Sequence, residues 1–417
     1  MQLPTHDIRY ERLTLLLMAL GFGLVGLDRW MIAPLFPLIM QDLGLNYQQL
    51  GQLIGILSLT WGVWAIAMGR VADRIGRKKI LVVTMVIFSL LSSLSGLASG
   101  FASLLLIRAA MGVAEGAFTP ASVAATGAAS LPSRRGFNQG LQLSMFSLLG
   151  LGFAPIIATQ LLRILPSWHW VFMISAIPGL IVAFLIARKL RNDTPSALCE
   201  ATQRPRWSAL FRSRNVWVAT LAVLCAMAGI FVISAMVPVY LTQVLGLATQ
   251  QMGFVVSAIG FGGFIGAFGV SGISDRIGRR PAAIASFIGS AIFLYAFSHA
   301  GANPTLLFVL LFALSVCALG LLGLISGPIA TEAAPLGLVA SAVGFVSGAG
   351  EIFGGGLAPV MEGYIAQHFG LSATLDFALG GFVCGALVSL FLLETAPACA
   401  PLGGLNALRT VTKESAH

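Results

Sequence analysis

Two short stretches carry the same letters 202 positions apart: Asp73-Arg74-Ile75-Gly76-Arg77 and Asp275-Arg276-Ile277-Gly278-Arg279. Each closes an apolar run opened by a matching tetrad, Gln48-Gln49-Leu50-Gly51 in the first case and Gln250-Gln251-Met252-Gly253 in the second. Two unrelated helical hairpins would rarely keep both the letters and the spacing. The chain therefore reads as two parallel copies of one unit.

Composition says what solvent surrounds these units. The chain has 417 residues, 57% of them hydrophobic and 9% charged, with a mean hydropathy of +0.92. A soluble domain carries roughly 25% charged residues, so the apolar excess here belongs in lipid. A cytosolic enzyme, a disordered chain and a disulfide scaffold are excluded. The cysteines (Cys199, Cys225, Cys317, Cys384, Cys399) form no CxxC pair and the histidines are scattered. No metal centre and no cofactor is expected. Spans of about 20 apolar residues fall near 13–40, 49–69, 80–98, 102–125, 138–160 and 168–187, then near 215–240, 250–270, 281–299, 305–328, 339–362 and 372–393. Twelve spans, an even count, put both termini on one side.

The net charge of +9 would suggest nucleic acid if it lay on one soluble face, but the cations cluster between spans. Arg9 and Arg12 precede the first span, and Arg70, Arg74, Arg77, Lys78 and Lys79 follow the second. Further groups are Arg134 and Arg135, the linker from Arg188 to Arg214, the trio Arg276, Arg279 and Arg280, and Arg409 with Lys413 in the tail. All but three of the 24 lysines and arginines thus share one face; Arg163 lies on the other, and Arg29 and Arg108 lie inside spans. By the positive-inside rule the basic face is cytoplasmic. After Met1–Arg12 the apolar run continues far past a signal-peptide core, so no cleaved signal is expected. A multi-pass protein of a bacterial-type inner membrane, both termini cytoplasmic, is the expected location.

The stretch Gly69-Arg-Val-Ala-Asp73-Arg-Ile-Gly76-Arg77-Lys78-Lys79 resembles the signature between spans two and three of the major facilitator superfamily, and Ser271 to Arg280 resembles its degenerate second copy. With twelve spans and the repeat, the resemblance covers essentially the whole chain. It implies an all-α integral membrane protein of two pseudo-symmetric six-helix bundles, 1–190 and 215–394, joined by a linker at 191–214 and ending in a tail at 395–417. It also implies a conformational latch on the cytoplasmic side, formed by Gly69, Asp73, Arg74, Gly76 and Arg77 with Asp275, Arg276 and Arg279. Physically, Gly76 permits a tight turn and Asp73 can accept hydrogen bonds at the N-terminus of a facing helix. Arg77 and Lys78 suit the lipid headgroups.

Ionisable groups inside spans cost roughly 2.5–3.5 kcal/mol each on insertion scales and are functional candidates by default. Asp28 and Arg29 lie in span one, Arg108 and Glu115 in span four, and Glu351 in span eleven, while Glu362 and Asp376 fall near span ends. Arg108 and Glu115 are nearly two turns apart, on one stripe about 10 Å long. Adjacent Asp28 and Arg29 point about 100° apart, so one can face a cavity while the other faces a neighbouring helix. At the 202-residue offset these charges meet Ile230, Phe231, Leu310 and Cys317, all apolar. That asymmetry suits a binding site with a polar wall in one half and an apolar wall in the other, rather than static glue.

Leu27-Asp28-Arg29 followed by Pro34, with Arg108-xxx-Gly112-xx-Glu115, resembles the motifs of the anion:cation symporters, a branch moving sugar acids and other organic anions. The resemblance implies that Arg29 and Arg108 hold the substrate carboxylate and that Asp28 and Glu115 carry protons. Spinster-like lipid transporters share the arrangement. Two departures stand out: Val25-Gly26-Leu27 replaces the usual polar stretch, and Glu351 is acidic where Asn, Ser or Thr is expected. Glu351 fits a third proton site or a substrate with a cationic or hydroxyl group.

Trp61 and Gln142 or Phe146 fall at depths that suit a cavity lining. Glycines of spans eight and eleven allow close helix approach. In span five, Ala154-Pro155 departs from the antiporter signature, which tilts against drug efflux. No HExxH, Gly-x-Ser-x-Gly or nucleotide loop appears, so no enzyme is expected. The expected function is proton-coupled symport of a small organic anion by rocker-switch alternating access; the alternative is proton-driven export of a drug or lysolipid-like amphiphile. The expected partners are that anion, protons and the bilayer, with no nucleic acid, and the chain is expected to be a monomer.

Overall fold

The computed structural model describes residues 6–45, 47–192, 207–335 and 337–396. Among them the chain is helical throughout, without strands. The first bundle holds α1 (Ile8–Trp30, continued by Ile32–Leu43), α2 (Tyr47–Ile75), α3 (Arg77–Ser95), α4 (Phe101–Ala129), α5 (Arg135–Phe146 and Ala154–Ile164, joined by π-helix Ser147–Phe153) and α6 (Trp168–Lys189). The second holds α7 (Arg214–Ala235 with Val237–Gln243), α8 (Thr249–Ile277), α9 (Arg279–Ser298), α10 (Pro304–Leu324, π-helix Ile325–Ile329 and Ala330–Ala333), α11 (Val339–Glu351, π-helix Ile352–Leu357 and Ala358–Phe369) and α12 (Leu371–Ser389). Among the described residues, ten helices are long and apolar enough to cross a bilayer, and α5 makes an eleventh when its halves, bent by 45°, count as one. The twelfth rod, α11, is interrupted by its π stretch just beyond Glu351.

The helices outrun the apolar segments read from sequence. Span two, placed at 49–69, runs on to Ile75, so most of the basic signature is the last turns of α2 rather than a loop. The turn itself is one residue: Gly76 at φ +92° ends α2 and starts α3, and Gly278 at φ +103° does the same between α8 and α9. An L side chain is strained in that conformation, which accounts for glycine at the same place in both copies. Much of the expected linker and most of the tail, including Cys199, Cys399, Arg204, Arg206, Arg409 and Lys413, lie outside the described residues. Among those described, Cys225, Cys317 and Cys384 are free thiols, and no cluster of three His, Cys, Asp or Glu is placed to hold a metal.

Buried apolar side chains gather into two cores, each centred in one bundle, with Val123 and Ala340 reaching across to the core of the other. Where the bundles meet, the helices are in close contact along much of their length and part toward one end. A β-carbon added at Gly69 of α2 would lie 2.4 Å from the Ala340 carbonyl oxygen of α11, and one at Gly62 would lie 2.7 Å from that of Gly348. At Gly55 the nearest atom is Gly355 O at 4.0 Å, and at Gly51 nothing lies within 4 Å. The α5–α8 contact repeats the trend: 2.4 Å from Gly140 to Ala267 O, 3.3 Å from Gly260 to Gly152 N, and open space at Gly253. The bundles are therefore zipped at the arginine-rich end and splayed at the other.

Candidate functional site

A cavity of about 930 Å³, open mouth included, lies between the bundles. The first bundle contributes Phe22, Arg29, Trp30 and Trp61 among others; the second contributes Met227, Phe231, Leu319 and Glu351. The hydroxyls of Thr119, Ser147, Ser234, Ser326 and Ser347 and the unpartnered indole N–H groups of Trp30 and Trp61 are its other polar groups. Two of the three π stretches supply lining residues, Ser147 and Leu151 in α5 and Ser326 in α10, and the third begins directly after Glu351. A π turn widens the helix locally and turns side chains that an α-helix would hold elsewhere.

Arg29 is the cation of this cavity. Its Nη2 donates to Glu351 Oε2 at 2.8 Å and to the Ser58 hydroxyl at 2.6 Å, and its guanidinium lies 5.7 Å from the Phe146 ring centroid. Close approach of α2 and α11 makes this possible: a β-carbon at Gly355 would sit 2.1 Å from Ser58 Cβ. The Arg29–Glu351 pair crosses from one bundle to the other, with exposures of 6% and 15%. The buried Arg29 Nε has no acceptor.

The other ionisable groups of the first bundle lie behind α1. Asp28 turns away from the cavity toward the hydroxyls of Ser92 on α3 and Ser175 on α6, which are 2.7 Å apart. Arg108, 1% exposed, donates through Nη1 to the carbonyls of Asp28 and Arg29 at 3.2 and 3.5 Å and faces the Phe172 ring at 5.8 Å. Its Nε and Nη2 have no partner. Glu115 is fully buried and neither of its oxygens has a hydrogen-bond partner, though it feels the charges of Arg29, Asp28, Arg108 and Glu351. Gln142 does not line the cavity either: its amide pairs with Thr126 and Ser122. Of the expected substrate residues, Arg29, Trp61 and Glu351 therefore share the cavity, and Arg108 and Gln142 sit outside it.

At the arginine-rich end the two signature copies act as clasps. Asp73 accepts from the Ala340 and Ser341 amides at 3.1 and 2.9 Å and from the Ser341 hydroxyl at 2.7 Å, capping the N-terminus of α11. Asp275 accepts from the Gly136 and Phe137 amides at 3.1 and 2.9 Å, capping the N-terminus of α5. Each is an anion on a helix N-terminus of the opposite bundle. Arg77 donates to the Ala124 carbonyl of α4 at 3.1 Å. Arg279, buried, binds Asp275 at 2.8 Å and both oxygens of Glu332 at 3.0 and 2.9 Å. Arg74 and Arg276 are exposed on the same turns. Sequence reasoning missed Ser58, Ser341, Glu332 and the Gln139–Thr331 bridge of 2.8 Å between bundles. A polar residue within an apolar run is the only local signal that Ser58 gives.

Two clasped bundles around a charged central cavity have the architecture of a membrane carrier. The sequence profile of the Major Facilitator Superfamily matches residues 18–276 and 249–406. The chain is 28% identical over 384 residues to the probable 4-methylmuconolactone transporter of Cupriavidus pinatubonensis, spanning 90% of this chain and 89% of that one. It is 26% identical over 421 residues to the probable sulfoacetate transporter of Cupriavidus necator, spanning 92% and 94%. Among solved structures, the proton:xylose symporter XylE bound to 6-bromo-6-deoxy-D-glucose superposes with a TM-score of 0.71 at 18% identity, covering 93% of this chain and 97% of that one. The chain belongs to the Major Facilitator Superfamily. It is a multi-pass membrane transporter, not an enzyme.

Proposed function

We propose that this transporter takes up a small organic anion, a carboxylate on a largely apolar body, together with protons. Arg29 carries the reading: a guanidinium in the cavity between the bundles, one buried N–H without an acceptor, fits a carboxylate arriving there. The aromatic and aliphatic lining supports an apolar body over a polyhydroxylated sugar acid, because a sugar acid would need more side-chain donors and acceptors than a few hydroxyls and two indole N–H groups. The relatives, a probable 4-methylmuconolactone transporter and a probable sulfoacetate transporter, agree with organic acids as a class. Arg108 braces Arg29 from behind through the α1 carbonyls. Glu115 is the proton site, since no donor among the described residues competes with a proton for its oxygens; Asp28 is the second.

In this reading the arginine-rich end is cytoplasmic, the clasps hold that side shut, and the splayed end faces out. Counterflow of radiolabelled carboxylates into proteoliposomes tests the anion assignment. Wild type should exchange ring or unsaturated monocarboxylates in preference to galactonate, and Arg29→Lys should weaken uptake about tenfold or more, since a point charge cannot replace a planar fork. Unchanged exchange in Arg29→Ala rules the assignment out. For coupling, Glu115→Gln should end uphill accumulation while exchange continues; accumulation at wild-type rates in that variant removes Glu115 from the mechanism.

A further inference from the structure

Glu351 has no counterpart in that scheme, yet it holds the binding arginine. We propose that Glu351 is a resident anion: its carboxylate occupies on Arg29 the position of the substrate carboxylate, and taking up a proton releases it. The inference rests on the anion reading above and adds a competitor from the opposite bundle.

Geometry supports competition rather than glue. Glu351 engages one nitrogen of Arg29 through one oxygen, at 2.8 Å, and leaves Nε without an acceptor. A free carboxylate can take two N–H groups of the fork at once, which is the stronger arrangement. It therefore displaces a monodentate tenant. Ser58 stays bound to Nη2 on the other side and fixes the guanidinium for the exchange. Once displaced, Glu351 stands as an unpaired carboxylate in an apolar cavity beside Met227 and Phe231, and a proton from solvent removes that cost. The charged groups facing it are Arg29 from α1 and, at longer range, Glu115 from α4. The residues that line the cavity with it on the other elements are non-titrating, among them Trp61 on α2, Phe146 and Ser147 on α5, Met227 and Phe231 on α7, and Leu322 and Ser326 on α10, and Ser58 on α2 binds the same arginine nitrogen. Substrate and proton thereby assist one another, and the coupling is reciprocal.

The helix carrying Glu351 makes the exchange mechanical as well. The residue closes the straight part of α11, immediately before the π stretch with Gly354, Gly355 and Gly356. Releasing it removes the ionic tie between α1 and α11 within the cavity, while the clasp from Asp73 to the start of α11 remains.

The test is equilibrium binding of benzoate, crotonate and galactonate to the purified full chain at mildly alkaline and mildly acidic pH. Wild type should bind its preferred probe more tightly at the acidic pH. Glu351→Gln should bind it about tenfold more tightly than wild type at alkaline pH, as one charge-assisted bond no longer opposes the ligand, and should lose most of the pH dependence. Glu351→Asp, which keeps the charge but shortens the reach, should fall between. Equal or weaker binding in a folded Glu351→Gln, with Arg29→Ala still abolishing it, overturns the resident-anion proposal and leaves the anion reading standing. Binding that ignores Arg29→Ala, or no binding of any probe by wild type, overturns both.

Discussion

The two clasps share five letters of sequence and differ in what stands behind them. Asp73 has both oxygens engaged at the start of α11, and its neighbour Arg77 is half-buried and reaches the Ala124 carbonyl. Asp275 divides its carboxylate between the start of α5 and Arg279, which is itself anchored by Glu332; Glu394 accepts from the amides of Arg279 and Arg280 at 2.7 and 3.1 Å. At the 202-residue offset, Glu332 corresponds to Ser130, a hydroxyl bonded to the Thr126 carbonyl. The second clasp is thus part of the fixed interior of its bundle. The first takes its hydrogen bonds from the facing helix, with the charge of Arg77 beside it.

The sharpest contrast to break lies in that backing network. Glu332→Ala leaves a buried guanidinium short of its bidentate partner and should cost about 3–5 kcal/mol of stability. Ser130→Ala at the matching place removes hydrogen bonds worth about 1 kcal/mol. Thermal unfolding of both variants in detergent checks this, and equal shifts would erase the distinction. Next comes the conformational balance. Asp73→Asn forfeits a charge-assisted clasp worth about 1.5–3 kcal/mol, so the zipped end should open roughly ten- to a hundredfold more often. Asp275→Asn should shift it less, because in wild type Arg279 still partners Asp275 after opening. Alkylation of cysteines placed at each end reads the balance, and a larger effect at Asp275 would reverse the ranking. The smallest effect belongs to the neutral bridge: Thr331→Val removes one hydrogen bond to Gln139, about 1 kcal/mol, and should change labelling only a fewfold.

Much of this was legible in the chain because lipid imposes long apolar runs and the repeat imposes a second copy of each. The turn glycines were readable for the same reason, since a positive φ leaves few alternatives to Gly76 and Gly278. What was not legible is pairing at a distance. Asp73 finds Ser341 across 268 positions and Arg29 finds Glu351 across 322. Each residue was visible as an unusual polar group, but nothing local names its partner. Arg108 illustrates the limit from the other side. It shares one helix with Glu115, yet its donation to the α1 carbonyls of Asp28 and Arg29 places it outside the cavity lining. The π stretches left only scattered glycines and prolines as a trace.

The ion pair inside the cavity has an electrical consequence. A lone elementary charge moved across the membrane field gains or loses about 2.3 kcal/mol per 100 mV, enough to bias a carrier toward one orientation. Arg29 bound to Glu351 presents the field with a dipole of no net charge. When a substrate carboxylate replaces Glu351 and Glu351 holds a proton, the sum at this place is again zero. Voltage therefore has no grip on either the empty or the loaded arrangement at Arg29, and whatever current accompanies a transport cycle must arise from charges carried elsewhere in the protein.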